Sequence, residues 1–250
     1  NTIKKKNKII RTENLEARYS EKTVLHNINL AVDSKKITVI LGPSGCGKST
    51  LVKNILRLYE PYKGEIEIFG KKITKMPEEE FRLIKERIGM LFQNGALLNS
   101  ISIYDNVAIP LEQHTELPPE IIKKIVEVKL ALVGLHQVMY SFPSELSGGM
   151  RKRAALARAI ALDPQILFCD EPSAGLDPVT SESLDSLIIN LKEQLDMTIV
   201  VVTHELASIH RIADKVIFLD EGRVLFHGDL SAAKKSGNEK IKQFFEVGRF

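Results

Sequence analysis

The chain has 250 residues, 35 Lys+Arg against 32 Asp+Glu, 44% hydrophobic residues and two cysteines. These values fit an ordinary globular protein with a real core, and exclude global disorder, a collagen-like fibre, a disulfide framework and a four-thiolate zinc site. No apolar run approaches the roughly 18–20 residues of a membrane helix, and the basic start lacks a signal-peptide core, so a reduced, cytoplasmic protein is expected. The net charge of +3 is unevenly placed: Lys4, Lys5, Lys6, Lys8 and Arg11 open the chain without an acid. A solvated, frayed terminus explains that run better than a lipid or nucleic-acid contact.

Residues 8–18 predict an early strand. Residues 26–32 alternate Ile28, Leu30 and Val32, the mark of a half-buried strand. Residues 37–41 form a short apolar run ending in glycine, which predicts a fully buried strand, with a helix following over 48–58. Strands are expected at 64–69 and 88–92. From about Asn94 to Leu162 there are loops and helices only. Ile122, Ile125, Val126, Leu130 and Val133 lie at helical spacing, with Pro118 and Pro119 leading in and Gly134 after the end. Another helix is expected from about 149 to 162. Strands return at 166–169 and 199–202, with a helix over 180–195 between them. Residues 216–219 and 223–226 flank Glu221-Gly222 as a hairpin. This alternation predicts an α/β core with a parallel sheet and an inserted helical subdomain. Residues 24–32 and 64–69 are expected to form a small antiparallel sheet at its edge. After Gly228, Ile241, Phe244, Phe245 and Val247 crowd one side of a helix, which should dock on its own core or, as the second case, on a neighbouring subunit.

Gly42, Pro43, Ser44, Gly45, Cys46, Gly47, Lys48, Ser49 and Thr50 carry the strongest signal: a glycine, four residues, then Gly-Lys-Ser. The motif follows a buried strand and opens a helix, so backbone N–H groups and the helix N-terminus converge on phosphate. Lys48 should reach the β- and γ-phosphates of ATP, and Ser49 should ligate Mg²⁺. Cys46, inside this loop, is expected to react with thiol reagents when the loop is empty, and Cys169 to stay inert. Residues 166–169 run into Asp170 and Glu171 at a strand end, where open α/β sheets place ligands. Asp170 would hold Mg²⁺ and Glu171 would polarise the attacking water. Within the strand-free stretch, Ser147, Gly148 and Gly149 open a basic helix and offer a second anion site. One triphosphate does not need two such sites in one chain, so use in trans is expected. Arg151, Lys152, Arg153 and Arg158 on that helix read as charge balance for triphosphate rather than as nucleic-acid contacts.

With these motifs in order from about residue 9 to 228, the chain resembles the nucleotide-binding subunits of ABC transporters. The resemblance implies a P-loop NTPase of ABC type: an α/β core over about 8–93 and 164–228, a helical subdomain over 94–163, and a C-terminal extension over 229–250. It implies a head-to-tail homodimer in which Ser147, Gly148 and Gly149 close over the partner's ATP, with Asp177 crossing the interface. It further implies that Tyr19 stacks on adenine, that Gln93 senses Mg²⁺ and couples to a membrane partner, and that His204 contacts the γ-phosphate. Met150 stands where most of the family has glutamine. Residues 143–161 and 92–98, with Asp105-Asn106-Val107-Ala108 and Pro110-Leu111, resemble the branch serving Mce-type (mammalian-cell-entry) lipid transport. That branch implies a separate permease, an Mce-type lipid-binding protein, and a place on the cytoplasmic face of the inner membrane. A polar-solute importer and a soluble ABC ATPase acting on nucleic acid or ribosomes are the alternatives; a single cassette without a coiled coil disfavours the latter, and no nucleic-acid partner is expected.

Overall fold

Two apolar-alternating runs of twelve residues open the described chain as strands β1 (Lys8–Tyr19) and β2 (Lys22–Asp33). The structure is a computed structural model that describes residues 7–246, with the Tyr19 side chain outside that description. Of the positions singled out above, Lys4, Lys5, Lys6 and Val247 lie outside the described residues. The chain forms two units: one runs to Lys85 and resumes at Thr198, and the other is Glu86–Met197.

In the first unit, β1 and β2 pair antiparallel across a tight turn at Ser20-Glu21, and the Lys8 ammonium meets the Asp33 carboxylate at 2.6 Å at the far end. Strand β3 (Ile37–Leu41) is buried at every residue, as its apolar run, interrupted only by Thr38, predicts. Helix α1 (Lys48–Ile55) ends before the residue 58 that the spacing predicts. Arg57 turns left-handed at φ +53°, while the Leu58 N–H reaches Lys53 O at 2.8 Å, a Schellman-type stop. The Arg57 side chain is drawn elsewhere: it donates to Met76 O at 2.6 Å and lies 4.9 Å from the Phe81 ring centroid. Then come β4 (Lys63–Ile68), β5 (Lys71–Lys72) and α2 (Glu78–Lys85). Helix α2 escapes a periodicity reading because only Phe81 and Ile84 anchor it.

The antiparallel sheet runs β2-β1-β4-β5. Residues 24–32 and 64–69 therefore share one antiparallel sheet, as expected, with a third strand between them. Strand β1 is long enough to use both edges and lies between them, with Ile10 opposite Ile68 and Thr12 opposite Ile66.

The second unit begins with β6 (Ile88–Leu91), then α3 (Ile103–His114), α4 (Pro119–Leu132) and α5 (Gly148–Ala159), followed by β7 (Ile166–Asp170) and α6 (Pro178–Gln194). Between residues 94 and 162 there are helices and no strand. Ser102 and Asp105 form a reciprocal cap on α3, and Pro119 starts α4 where its missing N–H costs nothing. Helix α5 stops short of 162 because the chain turns at Asp163, with φ +50°, ahead of Pro164. Strands β6 and β7 are parallel, from Ile88 opposite Ile166 to Leu91 opposite Cys169.

The first unit resumes with β8 (Thr198–Val202), α7 (Leu206–Ile212), β9 (Lys215–Asp220), β10 (Arg223–Asp229), α8 (Leu230–Lys234) and α9 (Glu239–Glu246). Strand β3 is parallel to β8 on one side and β9 on the other. The β9–β10 turn at Glu221-Gly222 has φ +44° and +68°, as a type I′ hairpin needs. Among the described residues no helix is long and apolar enough to cross a membrane.

Helix α9 docks on its own unit, as its one-sided apolar pattern predicts. Ile241 and Phe245 are buried, Phe244 packs edge-on to Phe218 of β9 at 5.3 Å, and Phe245 stacks on His210 at 6.0 Å. Lys240 adds an ion pair to Asp220. Ile241→Ala is expected to cost about 2–4 kcal/mol, a lost transfer term plus a cavity. Because the contact lies within one chain, the melting temperature should fall by the same amount at every protein concentration. An unchanged melting temperature would remove α9 from the core.

Candidate active site

In the first unit the phosphate loop is built by β3 and α1. Gly47 precedes α1 at φ +107°, and Pro43, Ser44, Gly45 and Ser49 are exposed. The Lys48 ammonium folds back and donates to Gly42 O at 2.8 Å and Pro43 O at 2.9 Å, so it crosses the mouth of the loop. The β9–β10 turn braces the loop from below: the Gly222 N–H donates to Cys46 O at 3.0 Å, and the His26 N–H donates to Gly222 O at 2.8 Å. Thr50 is turned into the core. Parallel pairing sets Ile40 opposite Val202, so the chain leaves β3 as the phosphate loop and leaves β8 toward His204 at the same sheet edge. His204 is exposed there, and the Thr203 hydroxyl accepts the Glu205 N–H at 3.1 Å to shape the turn. Tyr19 ends β1, and its stacking role falls on a side chain outside the described residues.

The accessibility expected of Cys46 is corrected. Its side chain turns inward, 6% exposed, and burial pushes its thiol above the ordinary range. Cys169, inside β7, is pushed up to about 12 by burial. Thiolate is the reactive form, so a raised thiol pKa means less of it at neutral pH. Maleimide at pH 7 is expected to leave both cysteines unmodified in the folded chain and to label both in denaturant, as read by intact mass. Fast labelling of Cys46 in the folded chain would contradict this placement.

In the second unit, parallel β6 and β7 bring two predicted groups to one edge. Gln93 follows β6 and is exposed; Asp170 ends β7 and Glu171 follows it. Glu171 takes φ +44°, a conformation that a residue with a Cβ adopts at a cost. Its carbonyl accepts the Ala174 N–H at 3.2 Å, and its Oε2 is buried. Ser147 caps α5 through the Met150 N–H at 3.2 Å. Gly149 has a packing reason as well as an anion-binding one, since a Cβ there would lie 2.5 Å from the Thr180 methyl. Asp177 caps α6: it accepts the Val179 and Thr180 N–H groups, each at 3.1 Å, and the Thr180 hydroxyl at 2.5 Å. The hydroxyl first, and these N–H groups, hold its carboxyl below the usual carboxylate range. The residues read as the signature and as the interface aspartate therefore meet through Thr180.

The cations of α5 also hold main-chain carbonyls. Arg151 donates to Leu146 O at 2.8 Å, Arg153 to Val133 O at 2.9 Å, and Arg158 to Gly95 O and Ala96 O at 2.8 and 2.7 Å. Lys152 is buried and donates to Gln93 O and, at 3.3 Å, to Glu171 O. Sequence reasoning missed this use of Lys152. The one signal available was its place at helical spacing from Ala155 and Leu156, which are buried with it; the carbonyls it meets left none.

The family model described as ABC transporter matches residues 25–174, from β2 through the turn after β7. The chain belongs to the ABC transporter family. It is 42% identical over 238 residues to the "Intermembrane phospholipid transport system ATP-binding protein MlaF" of Haemophilus influenzae, covering 95% of this chain and 90% of that protein. It is 40% identical to the "Probable ribonucleotide transport ATP-binding protein mkl" of Mycobacterium tuberculosis, covering 96% of this chain and 67% of that one. Among solved structures, a dimeric post-hydrolysis state of the ATP-binding cassette MJ0796 bound to ADP and Pi superimposes with a TM-score of 0.80 at 30% identity, over 89% of this chain and 99% of that one. The ABC cassette described here is thus an ATP-binding, ATP-hydrolysing P-loop protein with an α/β core, an antiparallel β sheet and a helical region, as the motifs predict.

Proposed function

We propose that this ABC cassette is the ATPase subunit that energises phospholipid movement between membranes. The observation that carries this reading is the 42% identity to MlaF over 95% of the chain and 90% of that protein. ATP is held by Gly42, Pro43, Ser44, Gly45, Cys46, Gly47, Lys48, Ser49 and Thr50, with Tyr19 against the base. Glu171 orients and deprotonates the attacking water, and His204 and Gln93 touch the γ-phosphate region. Ser49, Gln93 and Asp170 are the residues assigned to Mg²⁺; each offers a hard oxygen, the donor type this ion takes alongside phosphates and water. When bound, the ion neutralises charge developing on the phosphates. Two cassettes pair head to tail, so that Ser147, Gly148, Gly149 and Asp177 of each serve the ATP of the other.

The power stroke passes to a separate integral-membrane permease, which holds the cassette on the cytoplasmic face of the membrane, with an Mce-type lipid-binding protein beyond it. A groove of about 660 Å³ supports a permease contact: Asn94, Ala96, Leu97, Asn99, Pro143, Ser144 and Arg151 line it, next in sequence to Gln93. Phe92, Leu98 and Phe142, next to those lining residues in sequence, are exposed. A pull-down of the tagged full chain from detergent extract tests the assignment. A multi-span membrane protein that co-purifies with phospholipid is expected; ribosomes or nucleic acid in its place would overturn it.

A further inference from the structure

We propose that Lys152 is a positioning residue for ATP hydrolysis: its ammonium clamps the main-chain carbonyls of Gln93 and Glu171 and so fixes the peptide from which the Glu171 carboxylate projects. The proposal rests on the reading of Glu171 as the hydrolytic carboxylate.

Three observations carry it. Lysine is rarely buried, because its ammonium gives up strong hydration. Lys152 is nonetheless 8% exposed, and it donates to Gln93 O and Glu171 O. Second, these acceptors lie on the two segments that leave the parallel pair β6 and β7 at one edge. A side chain with three donors suits a site where two carbonyls from different segments converge. Third, Glu171 sits at φ +44°, where a residue with a side chain stays only if its surroundings over-determine it. Its carbonyl is held from two directions, by the Ala174 N–H of its own turn and by Lys152 from α5.

The consequence is mechanical. Lys152 stands one turn into α5, whose N-terminus is Ser147, Gly148 and Gly149. One rigid helix therefore fixes the signature end, the chain at Gln93 and the chain at Glu171 relative to each other. Arg158 extends the pattern along α5 by holding Gly95 O and Ala96 O just after Gln93. Lys152 acts through these carbonyls and not by touching nucleotide, so its loss should slow turnover more than it weakens binding.

The test uses the full chain, steady-state ATP turnover, and direct binding of a fluorescent ATP analogue. Lys152→Met is expected to lower kcat by roughly 10- to 100-fold with KM and analogue affinity changed less than about threefold, as for a misplaced reacting group. Lys152→Arg keeps the donors and should stay within about fivefold of wild type. If Lys152→Met does not fold, Lys152→Gln is read in the same assay, since its amide retains a donor without the charge or reach. In a Glu171→Gln background under single-turnover conditions, Lys152→Met should add less than about a twofold loss, because both changes remove one function. The proposal is overturned by a folded Lys152→Met or Lys152→Gln with kcat near wild type. It is equally overturned by a loss confined to KM, by Lys152→Arg as slow as Lys152→Met, or by losses that multiply in the double variant. Near wild-type turnover by Glu171→Gln alone would instead overturn the reading of Glu171, and the proposal with it.

Discussion

Glu171→Gln is expected to lower ATP turnover by roughly 10²–10⁴ while ATP still binds. Glutamine keeps the size of the side chain and tolerates the same backbone, so the left-handed turn after β7 should survive. What it removes is the negative charge and the capacity to take a proton from water. The effect is large because the chemistry of phosphate transfer leaves the protein little to do beyond positioning and charge stabilisation. Phosphate release and analogue binding, measured on one preparation, check it. Since ATP binds and is not consumed, the variant should also accumulate as an ATP-bound dimer by light scattering. Turnover near wild type would remove Glu171 from the mechanism.

Gly42→Ala is expected to destabilise the fold by roughly 2–6 kcal/mol, the sum of a strained backbone and an overpacked contact. Gly42 has φ +143°, and a Cβ there would fall 1.9 Å from the Leu219 carbonyl oxygen. Leu219 is fully buried in β9, which is itself paired to β3, so neither side of the clash can yield without breaking the parallel sheet. For a chain of this size the melting temperature should fall by roughly 5–20 °C. Gly45→Ala is the control. Its added Cβ meets nothing within 4 Å, so only the cost of φ +77° remains. Equal melting temperatures for the two variants would contradict the close approach of the loop to β9.

The phosphate loop was legible because it is local. Strand, glycines, lysine and helix follow one another within a few residues, and each constrains the next. The strand end at Asp170 and the hairpin at Glu221-Gly222 were legible for the same reason. Pairing partners were not, since β1 reads like any other alternating strand and nothing in its residues says that it separates β2 from β4. The early stop of α1 depends on Arg57 finding Met76 O and Phe81, which lie beyond the helix in sequence. Cys46 looked accessible because it sits inside the phosphate loop; its burial comes from the loop folding over the β9–β10 turn. The carbonyl contacts of the α5 cations were not legible because a carbonyl acceptor leaves no mark in a sequence. Only the folded chain shows Lys152 spent on the backbone of Gln93 and Glu171.

The most direct test of the central claim is lipid movement driven by this chain. The cassette, co-purified with its membrane partner, is reconstituted into liposomes carrying a fluorescent phospholipid. The account predicts that the phospholipid is extracted or delivered only with MgATP, and that Glu171→Gln abolishes the movement while leaving the complex assembled. MgATP-driven uptake of a ribonucleotide or other polar solute, with the phospholipid unmoved, would contradict it.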